Sequence, residues 1–145
     1  MSMTIPLRLV SLVLRGDTLD PAEWTTFFNK TPCSWAVKGQ RICRVGRTIE
    51  GTVSKTGLWV YCPEHREDPK SMDFMVKSML DELSLPNDIF LKRKKYSSIQ
   101  CEISMYFDNH SGDNPPSYSS DTVKLAAECS AKIKVDVWEP EQSGH

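Results

Sequence analysis

Nothing in the sequence is long and apolar enough to span a bilayer. The longest nearly uninterrupted apolar run, from Leu7 to Leu14, contains Arg8 and Ser11 and falls far short of the roughly 20 residues a transmembrane helix needs. The stretch from Met1 to Pro6 lacks the basic region and small-residue cleavage site of a secretory signal, which predicts a cytoplasmic protein with no membrane partner. Neither charge is in surplus. With 18 basic and 19 acidic residues the formal net charge is −1, so no global field draws the chain to phosphate backbones or anionic lipid, and charge-driven recognition has to be local. Cysteine occurs at five irregular positions, Cys33, Cys43, Cys62, Cys101 and Cys129, without a CxxC. Such a set suits reduced thiols packed as small core residues better than a disulfide framework.

Catalytic signatures are missing too. There is no GxSxG, no HExxH and no glycine loop that cradles phosphate ahead of a helix. Acyl transfer requires a nucleophile, a base and an orienting group in contact. Of the three histidines, His145 lies in a polar tail and His110 in a loop segment, which leaves His65, beside Glu64 and Glu67, as the sole base in reach. The expectation is a protein that is not an enzyme.

The 145 residues, 39% hydrophobic and 26% charged, suit one domain over 1–145, with an ordered core from about 5 to 139 and a polar C-terminal tail. Leu7 to Arg15 reads as a buried strand closed by Gly16 and Asp17. Asp20 caps a helix with Pro21 at its first position, and Trp24, Phe27 and Phe28 give it one aromatic face. Ser34 to Val37 and Leu58 to Tyr61 are strands, joined by a turn-rich connection with glycines at 39, 46, 51 and 57 that is compatible with a long hairpin. Met72, Met75, Val76, Met79, Leu80 and Leu83 keep the 3.6-residue period of an amphipathic helix. Pro86 interrupts it, and Asn87 to Leu91 can add a further turn before the basic run from Lys92 to Lys95. Ile99 to Phe107 alternates as a half-buried strand. A loop from Asp108 to Ser117, a Ser-started helix and a closing strand from Ala131 to Val137 complete the chain. The predicted fold class is α+β: a mostly antiparallel sheet with helices packed on one face, plait-like, in the order β-α-β-β-α-β-α-β.

Several segments in order carry a resemblance: Leu14-Arg15-Gly16-Asp17 with Leu19-Asp20-Pro21, Thr31-Pro32 with Ser34-Trp35 and Lys38-Gly39, and Lys55-Thr56-Gly57-Leu58-Trp59. In the C-terminal half the alternating strand, Asn114-Pro115, the Ser-started helix and the last strand follow. Over about residues 7 to 138 the chain resembles the bacterial family catalogued as domain of unknown function 4279, with a longer segment from Arg41 to Ser54. The resemblance implies a small standalone domain and no established activity, cofactor or catalytic residue. By analogy with other small bacterial proteins it suggests an immunity-type protein that neutralises a toxin domain by direct binding.

Two candidate surfaces follow for a protein partner. The segment from Lys38 to Lys55 offers Arg41, Arg44 and Arg47, and the loop from Asp108 to Tyr118 offers Asp108, Asp113 and Tyr118, so one is basic and the other acidic. The rival from another class is a small-molecule or weakly enzymatic site, with Trp35, Lys38, Trp59 and Tyr61 lining an aromatic pocket. Cys62 and His65 have the spacing of half a zinc site, with Cys33 and Cys43 as further thiolates, but a second close pair is missing, so neither metal nor other cofactor is expected. Lys92 to Lys95 with Tyr96 could meet a phosphate backbone, yet no RNA-module signature accompanies them, and nucleic acid is not an expected partner.

Overall fold

The apolar run near the N-terminus becomes an interior strand, paired along both of its edges. The computed structural model describes residues 8–44, 47–63, 72–108 and 118–138. Along the chain the elements are β1 (Arg8–Gly16), α1 (Pro21–Phe28), β2 (Ser34–Ala36), β3 (Arg41–Arg44), β4 (Arg47–Val53), β5 (Gly57–Tyr61), α2 (Met72–Glu82), α3 (Asp88–Tyr96), β6 (Gln100–Asp108), α4 (Ser120–Glu128) and β7 (Ala131–Trp138). The strands form one sheet in the order β4-β3-β2-β5-β1-β6-β7. All neighbours are antiparallel except β6 and β7, which are parallel and joined through α4.

Alternation along β1 sends Val10, Leu12 and Leu14 to one face and Val13 to the other. The first three join Trp59 and Tyr61 of β5 and Cys101, Ile103 and Met105 of β6 in the main core. All four helices add to it, through Trp24 and Phe28, Met75 and Met79, Phe90, and Ala126. Val13 packs instead with Ala36 and Leu58 in a smaller cluster, flanked by Ile42 and Val60. The helices therefore cover one face, as the α+β pattern predicts.

Local chemistry sets the helix ends. The Asp20 carboxylate accepts from the Ala22 amide at 3.1 Å, Pro21 occupies the first position, and Asn29 closes α1 in the left-handed region at φ 53°. Asn87 caps α3 by accepting from Phe90 N at 2.7 Å. Ser119 caps α4, and its amide donates to Asp73 of α2 at 2.8 Å, while the buried Thr122 hydroxyl donates to the same carboxylate. The Thr122 bond, with help from Ser119, holds the Asp73 carboxyl below its ordinary value of 3.8 against an opposing desolvation. A depressed carboxyl stabilises the fold fully above that ordinary value and loses the contribution as pH falls through its folded pKa. Asp73→Asn is thus expected to lower stability near neutrality and to flatten the acid limb of a urea-melt series. An unchanged acid limb would show that Asp73 does not couple α2 to α4.

Two features differ from the expected order. The connection between β2 and β5 holds a complete hairpin, β3 and β4, with a register irregularity between Arg41 and Cys43. The basic run lies inside a nine-residue helix, α3, rather than after a single turn. The observed order is β-α-β-β-β-β-α-α-β-α-β. Where β5 meets the end of β1, a Cβ on Gly57 would lie 2.5 Å from the Leu19 carbonyl oxygen and 2.8 Å from that of Gly16. Backbone cannot yield there as a flexible side chain can. Gly57→Ala is expected to cost about 1–3 kcal/mol by overpacking, read as a lower midpoint at unchanged slope in urea.

A candidate docking trough along helix α1

The aromatic residues singled out from the sequence separate by depth. Trp59 is 0% exposed, stacks on Phe28 at 5.2 Å between ring centroids, and donates from Nε1 to the Thr25 hydroxyl at 3.1 Å. Tyr61 stacks behind Trp59 at 6.2 Å and donates to Glu82 of α2 at 3.4 Å. Burial, then the charge and hydrogen bond of Glu82, push the Tyr61 phenol above its usual range. Both rings are core. Lys38 makes an exposed ion pair with Asp17 at 3.6 Å. Of the expected pair Trp35 and Trp59, only Trp35 reaches the surface. The two are directly opposite in the β2–β5 register, but α1 covers β5 and leaves Trp35, one strand further out, half-buried.

Trp35 lines instead a groove of about 550 Å³ together with Pro21, Pro32, Val37 and the threonines at 25, 26 and 31. Asp20, Ala22 and Thr26 are shared with a second hollow of about 360 Å³, which adds Glu23, Phe27 and Arg93. Glu23 and Arg93 are shared in turn with a third, of about 530 Å³, lined by Ile89, Lys92 and Tyr96 of α3. Through these shared residues the three hollows adjoin one another across α1, as a trough interrupted by its exposed side chains. Large apolar groups stand exposed along it: Val37 is 51% exposed, Ile89 69% and Tyr96 93%. The Arg93 guanidinium sits 4.9 Å from the Phe27 ring centre, which holds the charge in place without neutralising it. Patches of this kind on a surface mark interaction sites. Sequence reading missed the trough because its apolar residues come from three separate segments and show no common period.

The other sequence candidates are dispersed. Arg41 and Arg44 are exposed on β3, three residues apart and hence on opposite faces of the strand. Arg44 faces Arg47 across the hairpin register, and the Arg47 side chain lies outside the described residues. Asp108 ends β6, Asp113 lies outside the described residues, and Tyr118 is exposed just before α4. Between β3 and β6 stand β2, β5 and β1, a separation of roughly 19 Å at ordinary strand spacing. The strand ends from which the basic and acidic segments spring are therefore apart in the sheet.

The thiols depart from expectation at one pair. Cys33 and Cys62 are disulfide-bonded, with Cα atoms 5.8 Å apart. The β2–β5 register places Ser34 opposite Val60, so the two cysteines flank the end of that pairing, a closeness that a separation of 29 residues does not reveal. Cys101 and Cys129 are buried, and desolvation raises their thiols to about 12 and about 11, with Cys129 and then Glu102 adding at Cys101 against an opposing Lys94, and Glu128 adding at Cys129. They are inert core residues. Cys43 is half-buried on β3. Of the half zinc site, Cys62 is committed to Cys33 and His65 lies outside the described residues; among those residues no three potential ligands cluster. No described helix is long and apolar enough to cross a membrane.

No curated protein and no solved structure matches the sequence. A family model does match, across residues 5–139 and therefore across every element described above. The chain belongs to the family described as domain of unknown function (DUF4279).

Proposed function

We propose that this protein is a non-catalytic partner-binding module that docks a segment of another protein in the trough along α1. The observation that carries the reading is the succession of apolar and charged groups in adjoining hollows, from Trp35 and Val37, past Phe27 and Arg93, to Ile89 and Tyr96. Aromatic anchors with a charged rim are the composition that concentrates binding energy at protein interfaces. Two observations favour a protein over a nucleic-acid backbone. The cations of α3 are consecutive and so fan around the helix instead of forming one stripe, and Lys94 is half-buried near Cys101. The narrower form of the proposal is an immunity-type role, in which the docked segment belongs to a toxin and its occupation blocks that toxin's activity.

We also propose a cytoplasmic site of action. There the thiol pool acts on Cys33 and Cys62, and the bond persists only if its reduction potential lies below that of the pool.

The test is capture of the partner from the native cell, its identification and reconstitution with purified components. Replacing Trp35 and Tyr96 together by alanine is expected to weaken the reconstituted complex by about tenfold or more while thermal unfolding stays cooperative. Lys132→Glu, on the distal edge strand β7, should leave binding unchanged. If instead the triple change of Arg41, Arg44 and Arg47 to Glu abolishes binding and the trough variant does not, the hairpin is the surface and the trough is not.

A further inference from the structure

We infer that the protein forms a two-fold symmetric dimer in which β7 pairs antiparallel with β7 of a second copy, through a surface separate from the trough. β7 ends the sheet, and among the described residues no strand lies on its outer side. A strand in that place presents a row of amide and carbonyl groups with no ladder partner. Bulges commonly blunt such edges, and the opposite edge, β4, is reached through the irregular β3–β4 ladder. β7 has no such irregularity: it follows β6 without a shift from Cys101 opposite Ala131 to Asp108 opposite Trp138. Its apolar face is also incompletely covered. Ile133 and Val135 pack against the core yet stay half-buried, and Val137 is 37% exposed. A second β7 laid beside the first would extend that apolar row.

Charge selects both the occupant and the register. Lys132, Lys134 and Asp136 alternate on the other face and are exposed. Lys132 stands opposite Glu102 of β6, but Lys134 stands opposite Ser104 and Asp136 opposite Tyr106, and neither has an ion pair among the described residues. In an antiparallel pair built on a two-fold axis, the residue at the axis faces its own copy, and positions equally spaced before and after it face one another. With the axis at Val135, each Lys134 meets Asp136 of the second copy and each Ile133 meets Val137, so charges and apolar groups are matched together. An axis at Lys134 would oppose two lysines, and an axis at Asp136 two carboxylates. β7 thus carries its own complement, which favours a second copy over an unrelated strand.

Sedimentation velocity on the intact chain, from about 1 µM to about 1 mM, covers firm to marginal association and is expected to show a monomer–dimer equilibrium. Asp136→Lys sets lysine against lysine and should weaken the dimer about tenfold or more, with the difference from the native chain narrowing as salt is raised. Lys134→Asp combined with Asp136→Lys re-forms both pairs with their signs exchanged and should recover association. Because these side chains are exposed, urea melts of both variants should match the native chain. A chain still monomeric at about 1 mM, an open-ended series of oligomers, or a dimer indifferent to Asp136→Lys overturns the inference. So does failure of the double exchange to restore the dimer, because the two charges would then serve some other contact.

Discussion

Met79→Asp is expected to unfold the protein at room temperature. Met79 is 0% exposed and lies on the face of α2 that covers the sheet, in one cluster with Met75, Val76, Leu80, Ile103 and Met105. An aspartate there either buries an unpaired carboxylate or drags α2 off the sheet. The cost of about 4–5 kcal/mol or more approaches the whole stability of a domain this size. Met79→Leu keeps the volume and apolar character and should cost less than about 1.5 kcal/mol. Circular dichroism and urea titration of the pair read the contrast directly. A cooperative Met79→Asp variant of near-native midpoint would mean that α2 does not close the core.

The period that makes this prediction available was plain in the sequence, and the reason is geometric. α2, β1, β6 and β7 each bury one face against a single continuous layer, so hydrophobicity repeats every 3.6 or 2 residues with no tertiary knowledge needed. What stayed hidden has equally physical causes. In α3, Ile89, Phe90 and Leu91 are consecutive and Phe90 alone is fully buried. The helix therefore rests on its Asn87 cap and on long straight side chains that favour helix, not on an amphipathic pattern. The β3–β4 hairpin is short, largely polar and irregular in register, so its alternation is weak where a strand signal has to come from alternation.

The candidate site was legible only in its parts. Trp35 was visible as an aromatic on a strand, but so was Trp59, and their different fates depend on which strand α1 covers. That is decided by the long-range order β2-β5-β1. Phe27, read as core, does pack against the core and also floors the middle hollow beneath Arg93. One residue can serve both roles because α1 is a single layer thick over the sheet.

Opening the Cys33–Cys62 bond is expected to cost about 3–4 kcal/mol, because the link closes a loop across a separation of 29 residues and its loss returns that conformational freedom to the unfolded chain. Serine at both positions, or reductant on the native protein, should lower the urea midpoint to the same value. Thiol titration supplies an independent check. Cys101 and Cys129 are buried with raised thiols while Cys43 is half-buried. One thiol should therefore react readily in the native unreduced protein, the full set of three free cysteines after denaturation, and all five after denaturation with reductant. Three or more thiols reacting in the native, unreduced state, together with an unchanged midpoint for the serine pair, would refute the bond. A consequence reaches the trough as well, since Cys33 lies two residues before Trp35 and its amide is fastened to the Val60 carbonyl at 2.8 Å. The bond fixes the start of β2 to the end of β5, so reduction should loosen the Trp35 end of the trough first and weaken partner binding before the fold is lost. If binding persists at full strength down to the unfolding midpoint of the reduced protein, the bond serves stability alone, and the β2–β5 ladder by itself holds Trp35 in position.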